Sequence, residues 1–462
     1  MIEWPCSPAL EPREISPRAG LRAAGALGLA LWAGVTLATA GWAEVLFYVD
    51  STLDQVDDDT ADGVCHTAAG TCTLRAAVMQ ANRTSGAGAI IVLAAGTYDL
   101  TRPAAGVNGD DNGDLNLTPP LAGDPYISIS GAGPSSTIID AHQIDRLLYV
   151  HPGRKAKLTG ITLRNGLAVS DGGGGILNSG ELTIRQCVLS GNSNVSTRGG
   201  GGIYTPGILF VQSSTIRGNS STIIGGGIYA PGQVDIGAST ISGNSASFGG
   251  GIFMGAGSSL YLSNSTIVAN DATGDGGGMY SRGATRIYNS TIAFNQADSD
   301  GDFLGQAGGI FHDEEFEPQP FSLLNSVVAG NYLSGAPVYD DCQGGLNSYG
   351  RNQFGTIPAQ CTVTQVGAGG YALLGSLAEL GSLQSHGGDT ETVAIIAPSS
   401  LIDGAEPTLG CQDRFGDPLL TDQRGGPRTA GAFCDIGAFE SGALPDGLIF
   451  ADGFESATSH AW

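Results

Sequence analysis

The sequence predicts an all-β solenoid, a parallel β-helix, and three observations predict it. A glycine run followed by an apolar residue recurs about every 25 residues, giving the column Ile176, Ile203, Ile228, Ile252, Met279 and Ile310. A second beat of nearly the same period closes short β-like runs with Asn165, Asn192, Asn219, Asn244, Asn270, Asn295 and Asn331. Glycine supplies 74 of 462 residues without a three-residue period, which excludes collagen and implies many tight turns. Units this short cannot bury an apolar face alone, so they must stack.

In chain order, residues 1–43 read as a secretory signal. Arg13, Arg18 and Arg22 precede an apolar stretch from about Ala23 to Ala38, and small residues end at Ala40 or Ala43. A membrane anchor is the alternative for this stretch. No later segment approaches the ~20 apolar residues of a spanning helix. Residues 44–87 form an N-terminal cap, in which Thr73 caps a short amphipathic helix to Asn82 with Leu74, Ala77, Val78 and Ala81 at helical spacing. That helix covers the first coil, because stacked folds must protect an open end.

Residues 88–340 carry the repeats. Each period holds three extended runs, such as GGGIYT, ILFVQS and STIRGN, rich in Val, Ile, Thr and Tyr and bounded by turn residues. Stacking at ~4.8 Å aligns equivalent residues in ladders. The Ile column then fills the core, and the Asn column forms a turn ladder with amides bonded along the stack. Residues 341–440 form a C-terminal module and 441–462 a tail.

Six cysteines outside the signal fall into three local pairs, Cys65 with Cys72, Cys342 with Cys361 and Cys411 with Cys434. Sequence proximity selects that pairing among ~15 connectivities, in an oxidising compartment. Cys187 lies in a repeat strand and reads as a buried free thiol. The net charge of −24 repels nucleic acid and anionic membrane surfaces and favours cation binding.

The run Cys65 to Asn82 contains CTLRAA and resembles the N-terminal motif of exported bacterial proteins named for a CSLREA signature, with Thr73 and Ala76 replacing its Ser and Glu. Segments 90–101, 113–118 and 162–166 echo the stretch that follows. Thr421 to Arg428 and Cys434 to Glu440 resemble the end of the choice-of-anchor Q domain of the same proteins, whose usual NGG segment is here only Ser385-His-Gly-Gly. The glycine and asparagine beats are similar to polymorphic outer membrane protein repeats. The resemblance implies a right-handed parallel β-helix of the pectate-lyase kind, secreted or held at the outer cell surface. It implies no agreed reaction. The ending Leu448 to Glu455 resembles short sorting tails, so release and surface attachment both stay open.

Tyr204, Tyr229, Phe253, Tyr280 and Phe311 follow the Ile column by one residue, after Leu177. Alternation puts them outside, where a strip of rings suits polysaccharide or a cell-surface protein; an ordinary covered aromatic stack is the alternative. Asn108, Asp110, Asn112 and Asp114 offer oxygen ligands at partial Ca²⁺-loop spacing, but Pro119 stands where the closing Glu belongs. Two other acidic turns, Asp57–Asp62 and Asp298–Asp302, are similar; solvated turns are the alternative for all three. For catalysis the candidates are the acidic insertion His312, Asp313, Glu314, Glu315 and Glu317, the pair Asp340-Asp341, and the strand arginines Arg185, Arg217 and Arg286, which share no column. The expected activity is therefore non-catalytic binding, with no required cofactor and Ca²⁺ as an optional ion. A polysaccharide lyase or glycoside hydrolase is the alternative, and a passive surface spacer the third.

Overall fold

The computed structural model describes residues 44–84, 88–104, 109–121, 123, 126–315, 318–334, 338–373 and 377–443. The signal, Asn108, Glu317 and most of the tail lie outside the described residues. Nearly all the strands pair in parallel, coil upon coil, in a right-handed parallel β-helix. Each regular coil contributes three strands. In the coil that starts at the second glycine run these are Ile203–Tyr204, Ile208–Gln212 and Thr215–Arg217. A fourth, two-residue strand follows the asparagine, as in Ser220–Ser221, and builds its own eight-stranded ladder.

The stack is longer than the repeats suggest at both ends. Val45–Val49 pairs in register with Gly88–Leu93, so the first rung lies inside the segment read as cap. At the other end, Cys342–Phe354 pairs with strands of the last regular coil, and Cys361–Leu373 pairs with it in turn. The boundary at residue 340 is therefore corrected. Coils continue to Leu373 because the backbone keeps pairing after the glycine pattern fades.

The Ile column is fully buried, from Ile176 to Ile310, with Met279 in register between Ile252 and Ile310. Each such side chain contributes roughly 1.5–3 kcal/mol of apolar burial, as an upper estimate. Beside it the asparagine amides form an unbroken chain. Asn192 Nδ2 donates to Asn219 Oδ1 at 2.9 Å, and Asn219, Asn244, Asn270 and Asn295 repeat the bond to Asn331. Each backbone N–H bonds the same neighbouring oxygen. Asn331 then donates to Asp341 at 2.7 Å, so a carboxylate terminates the amide chain.

Asn165 is not part of that ladder. Strand register aligns it with Gly191, one residue earlier. It occupies a left-handed turn with φ 56, a conformation that Gly191, Gly218 and Gly243 supply in later coils. A serine ladder accompanies the asparagines, each backbone N–H donating to the next hydroxyl through Ser214, Ser239, Ser265, Ser290 and Ser326. Cys187 starts this ladder as a buried thiol.

The helix is Leu74–Arg83, and Thr73 Oγ accepts from the Ala76 N–H at 3.2 Å. Apart from Arg83 at its end, its polar side chains are not a solvated face. Arg75, Gln80 and Asn82 are buried beneath the loops, with Arg75 paired to Asp54. The three disulfides join Cys65–Cys72, Cys342–Cys361 and Cys411–Cys434 as the spacing predicts.

Residues 377–443 run back along the outside of the coils as a strap and belong to the same compact unit. Asn264, Asn289 and Asn325, all with positive φ, donate to the carbonyls of Thr421, Gln412 and Gly410. Gln423 donates to Thr240 and accepts from Thr266. Arg428 is buried, with Asn264 Oδ1 at 2.6 Å and Glu440 at 3.5 Å.

Candidate functional site

Three columns on one side of the coils build a groove. The floor is the aromatic column, with Tyr204, Tyr229, Phe253, Tyr280 and Phe311 in strict register. It points out of the core, as alternation requires, yet it is not a bare strip. Tyr204, Phe253 and Tyr280 are 9%, 6% and 6% exposed, and Tyr229 and Phe311 are half-buried. Tyr204–Tyr229, Phe253–Tyr280 and Tyr280–Phe311 stack face to face along the helix axis, the last two with centroids 4.7 Å apart, whereas Tyr229 meets Phe253 edge-on at 5.6 Å. Each ring is covered by a neighbouring ring, face to face or edge-on, so the column offers no continuous flat platform for a sugar. The expected exposed strip is corrected to a stack that presents edges.

One wall is the residue just before each glycine run. The backbone pairing places Ile224, Phe248, Asp275 and Gln306 in one column, since Gly225, Gly249 and Gly276 donate to the carbonyls of Phe248, Asp275 and Gln306. Ile224 and Phe248 lean over the rings, and Phe248 meets Tyr280 edge-on at 6.0 Å. The other wall is the residue after each aromatic strand, Gly255, Arg282 and Asp313 in successive coils. An apolar hollow of about 340 Å³ lies among Ile224, Phe248, Phe253 and Gly255. An open polar cleft of about 590 Å³ follows, lined by Asp275, Asp313, Glu314, Gln343 and Gln360. Tyr280 and Arg282 border both.

The polar end is organised about Asp313. Its Oδ2 accepts from the Tyr280 hydroxyl at 2.6 Å and from Arg282 Nε at 2.7 Å, and its Oδ1 accepts from the Glu315 N–H. Burial pushes the Asp313 carboxyl up, but these donors outweigh it and hold it below the usual range. Asp275 behaves oppositely. Burial, with the neighbouring charges of Asp313 and Asp340, pushes it up to about 6, against one bond from the Gln306 N–H at 2.9 Å. Among the described residues no cation forms an ion pair with Asp275.

The acidic insertion therefore divides. Asp313, Glu314 and Glu315 line the cleft, and His312, which also borders it, is buried in register with Ser281 and bonds the Gly345 carbonyl through Nδ1. Asp340 and Asp341 serve the backbone, Asp340 accepting from the Ala307 N–H and Asp341 ending the asparagine ladder. Arg217 lies on the third strand of its coil and Arg185 and Arg286 on the second strand of theirs, at different register positions, so the three share no column.

Of the candidate Ca²⁺ loop, the described members are Asp110, Asn112 and Asp114. Arg75 donates to the carbonyls of Gly113 and Asp114, and Asp114 is ion-paired to Arg146 at 2.8 Å. A guanidinium already supplies positive charge there. Carboxylate oxygens do gather at Asp298, Asp300 and Asp302, and at Asp99 and Asp140 with His142, within 4.8 Å in each group. Arg164 Nε bonds Asp140 at 2.6 Å in the second group.

No protein-family model matches the chain, and no curated protein matches it. Among solved structures, the chain is similar to pectate lyase Pel9A, at 13% identity and a TM-score of 0.46 over 86% of this chain and 96% of that one. At that level the likeness says nothing about activity.

Proposed function

We propose that this is an exported β-helix protein of the cell surface or extracellular space that binds polysaccharide, without cleaving it, along the groove between the Ile224 and Gly255 columns. The observation that carries this reading is the continuity of the groove. An apolar stretch passes into one rich in carboxylates, glutamines and an arginine, with Tyr280 and Arg282 common to both. A polyhydroxylated chain needs both kinds of contact, apolar patches for its C–H faces and fixed polar groups for its hydroxyls. The signal-like N-terminus, the three disulfides and the CTLRAA resemblance support export. No helix among the described residues is long and apolar enough to cross a membrane.

One observation favours a glycoside hydrolase instead. Asp275 and Asp313 share a cleft and their environments push their acidities apart, as a general acid and its partner require. A glycan array, with and without Ca²⁺ and with product analysis on each hit, separates the readings. Retention without cleavage supports binding. New reducing ends or unsaturated products refute the non-catalytic reading, and silence leaves a protein-binding adhesin or spacer.

A further inference from the structure

The groove wall changes chemistry at one position. Ile224 and Phe248 occupy it in two coils, and Asp275 occupies it in the next. Asp275 is half-buried, one of its two carboxylate oxygens accepts from the Gln306 N–H, and no described cation pairs with it. Around it the cleft adds Asp313, Glu314 and Glu315 and one guanidinium, Arg282, whose Nε is already bonded to Asp313. A partly desolvated carboxylate without a counter-charge is costly, and a ligand ammonium would supply one. A uronate polymer would meet like charge in the same place.

Building on the polysaccharide reading, we propose that the groove selects a glycan carrying free amino groups, a deacetylated amino-sugar polymer, with an ammonium seated against Asp275 and the apolar faces of neighbouring sugars along Phe248 and Ile224. The charge complementarity is local to one end, so a chain with both apolar faces and amines fits better than a uniformly basic peptide, which would leave the Ile224–Phe248 stretch unused.

The test is calorimetric titration of the mature chain with chitosan oligomers and with fully N-acetylated oligomers of the same length, with oligolysine and polygalacturonate as controls. We expect the deacetylated oligomers to bind at least about tenfold more tightly. Asp275→Asn should abolish that preference, so that deacetylated and N-acetylated oligomers bind the variant with comparable affinity. The preference should follow a bell-shaped pH profile, lost on the acid side as Asp275 protonates near 6 and on the alkaline side as the sugar ammonium titrates. A structural role for Asp275 would not produce that profile. If Asp275→Asn does not fold, Glu314→Gln, at an exposed side chain, should reduce the preference several-fold. Equal binding of both oligomers, or binding only of the N-acetylated one, overturns the amino-sugar assignment and keeps the polysaccharide reading. Tight oligolysine binding in place of oligosaccharide, or no binding at all, overturns both.

Discussion

The asparagine column and the aromatic column share one period and one coil, yet they do different things. The asparagines lie inside, where every amide is spent: Asn244 Oδ1 accepts two donors, and its Nδ2 donates to Asn270 and to the Ile216 carbonyl. The rings lie outside, stacked on one another, and their edges form a groove floor whose walls change from coil to coil. A ladder that must be satisfied on both sides tolerates no variation. A groove wall tolerates it, and that is where Asp275 replaces the apolar residue. Repetition therefore marks the scaffold, and the departure from repetition marks the site.

Breaking the inner column should cost most. Asn244→Ala removes an acceptor from two buried donors and should destabilise by about 3 kcal/mol, read as a shifted urea midpoint. An effect below about 1 kcal/mol would mean the amide chain is decorative.

The end of the same column carries a pH dependence. Burial pushes Asp341 up to about 6, with the Asn331 and Thr356 donors opposing it. A carboxyl raised on folding binds its proton more tightly in the native state. Its contribution is therefore full below the unfolded value near 4 and is lost as pH rises through 6, by about 2–3 kcal/mol. Urea midpoints of wild type and Asp341→Asn across this window should diverge in slope, the variant being flatter.

The outer column sharpens the contrast with a smaller change. Phe253→Ala opens the ring stack between Tyr229 and Tyr280 and should cost about 2 kcal/mol, while also weakening groove binding. The inner Asn244→Ala, once folded, should leave affinity unchanged. The smallest effect is expected at Ala269, which sits at φ 53 in the turn where the three preceding coils carry Gly191, Gly218 and Gly243 and the following one carries Phe294. Ala269→Gly should stabilise by up to about 1 kcal/mol, seen as a small rise in Tm.

Periodic columns were legible in the sequence because stacking forces equivalent residues into register. Ile203, Asn219 and Tyr229 each lie where their spacing places them. Asn165 misled because it follows its strand one position early, and only register distinguishes a left-handed turn from a ladder. The exposure of the rings misled for a different reason: alternation gives a direction, and it says nothing of what leans over from the next loop. Ile224 and Phe248 had a visible signal, an apolar residue in an otherwise polar turn just before the glycines. Asp275 had none, since an aspartate in an acidic turn reads as solvated until its neighbours are known. The strap was hidden because its partners, Gln423 with Thr240 and Arg428 with Asn264, are far apart in the chain.

The most direct test of the account is affinity electrophoresis of wild type and Phe248→Ala through gels containing neutral, amino-sugar and uronate polysaccharides, with Tm measured alongside. Phe248 lies on the groove wall and is 38% exposed, so its truncation should leave the coils intact. Wild type should be retarded by at least one polysaccharide, and Phe248→Ala should lose most of that retardation with a Tm within about 2 °C of wild type. Undiminished retardation of the variant would place the binding surface elsewhere, and no retardation of wild type on any gel would contradict the binding reading itself.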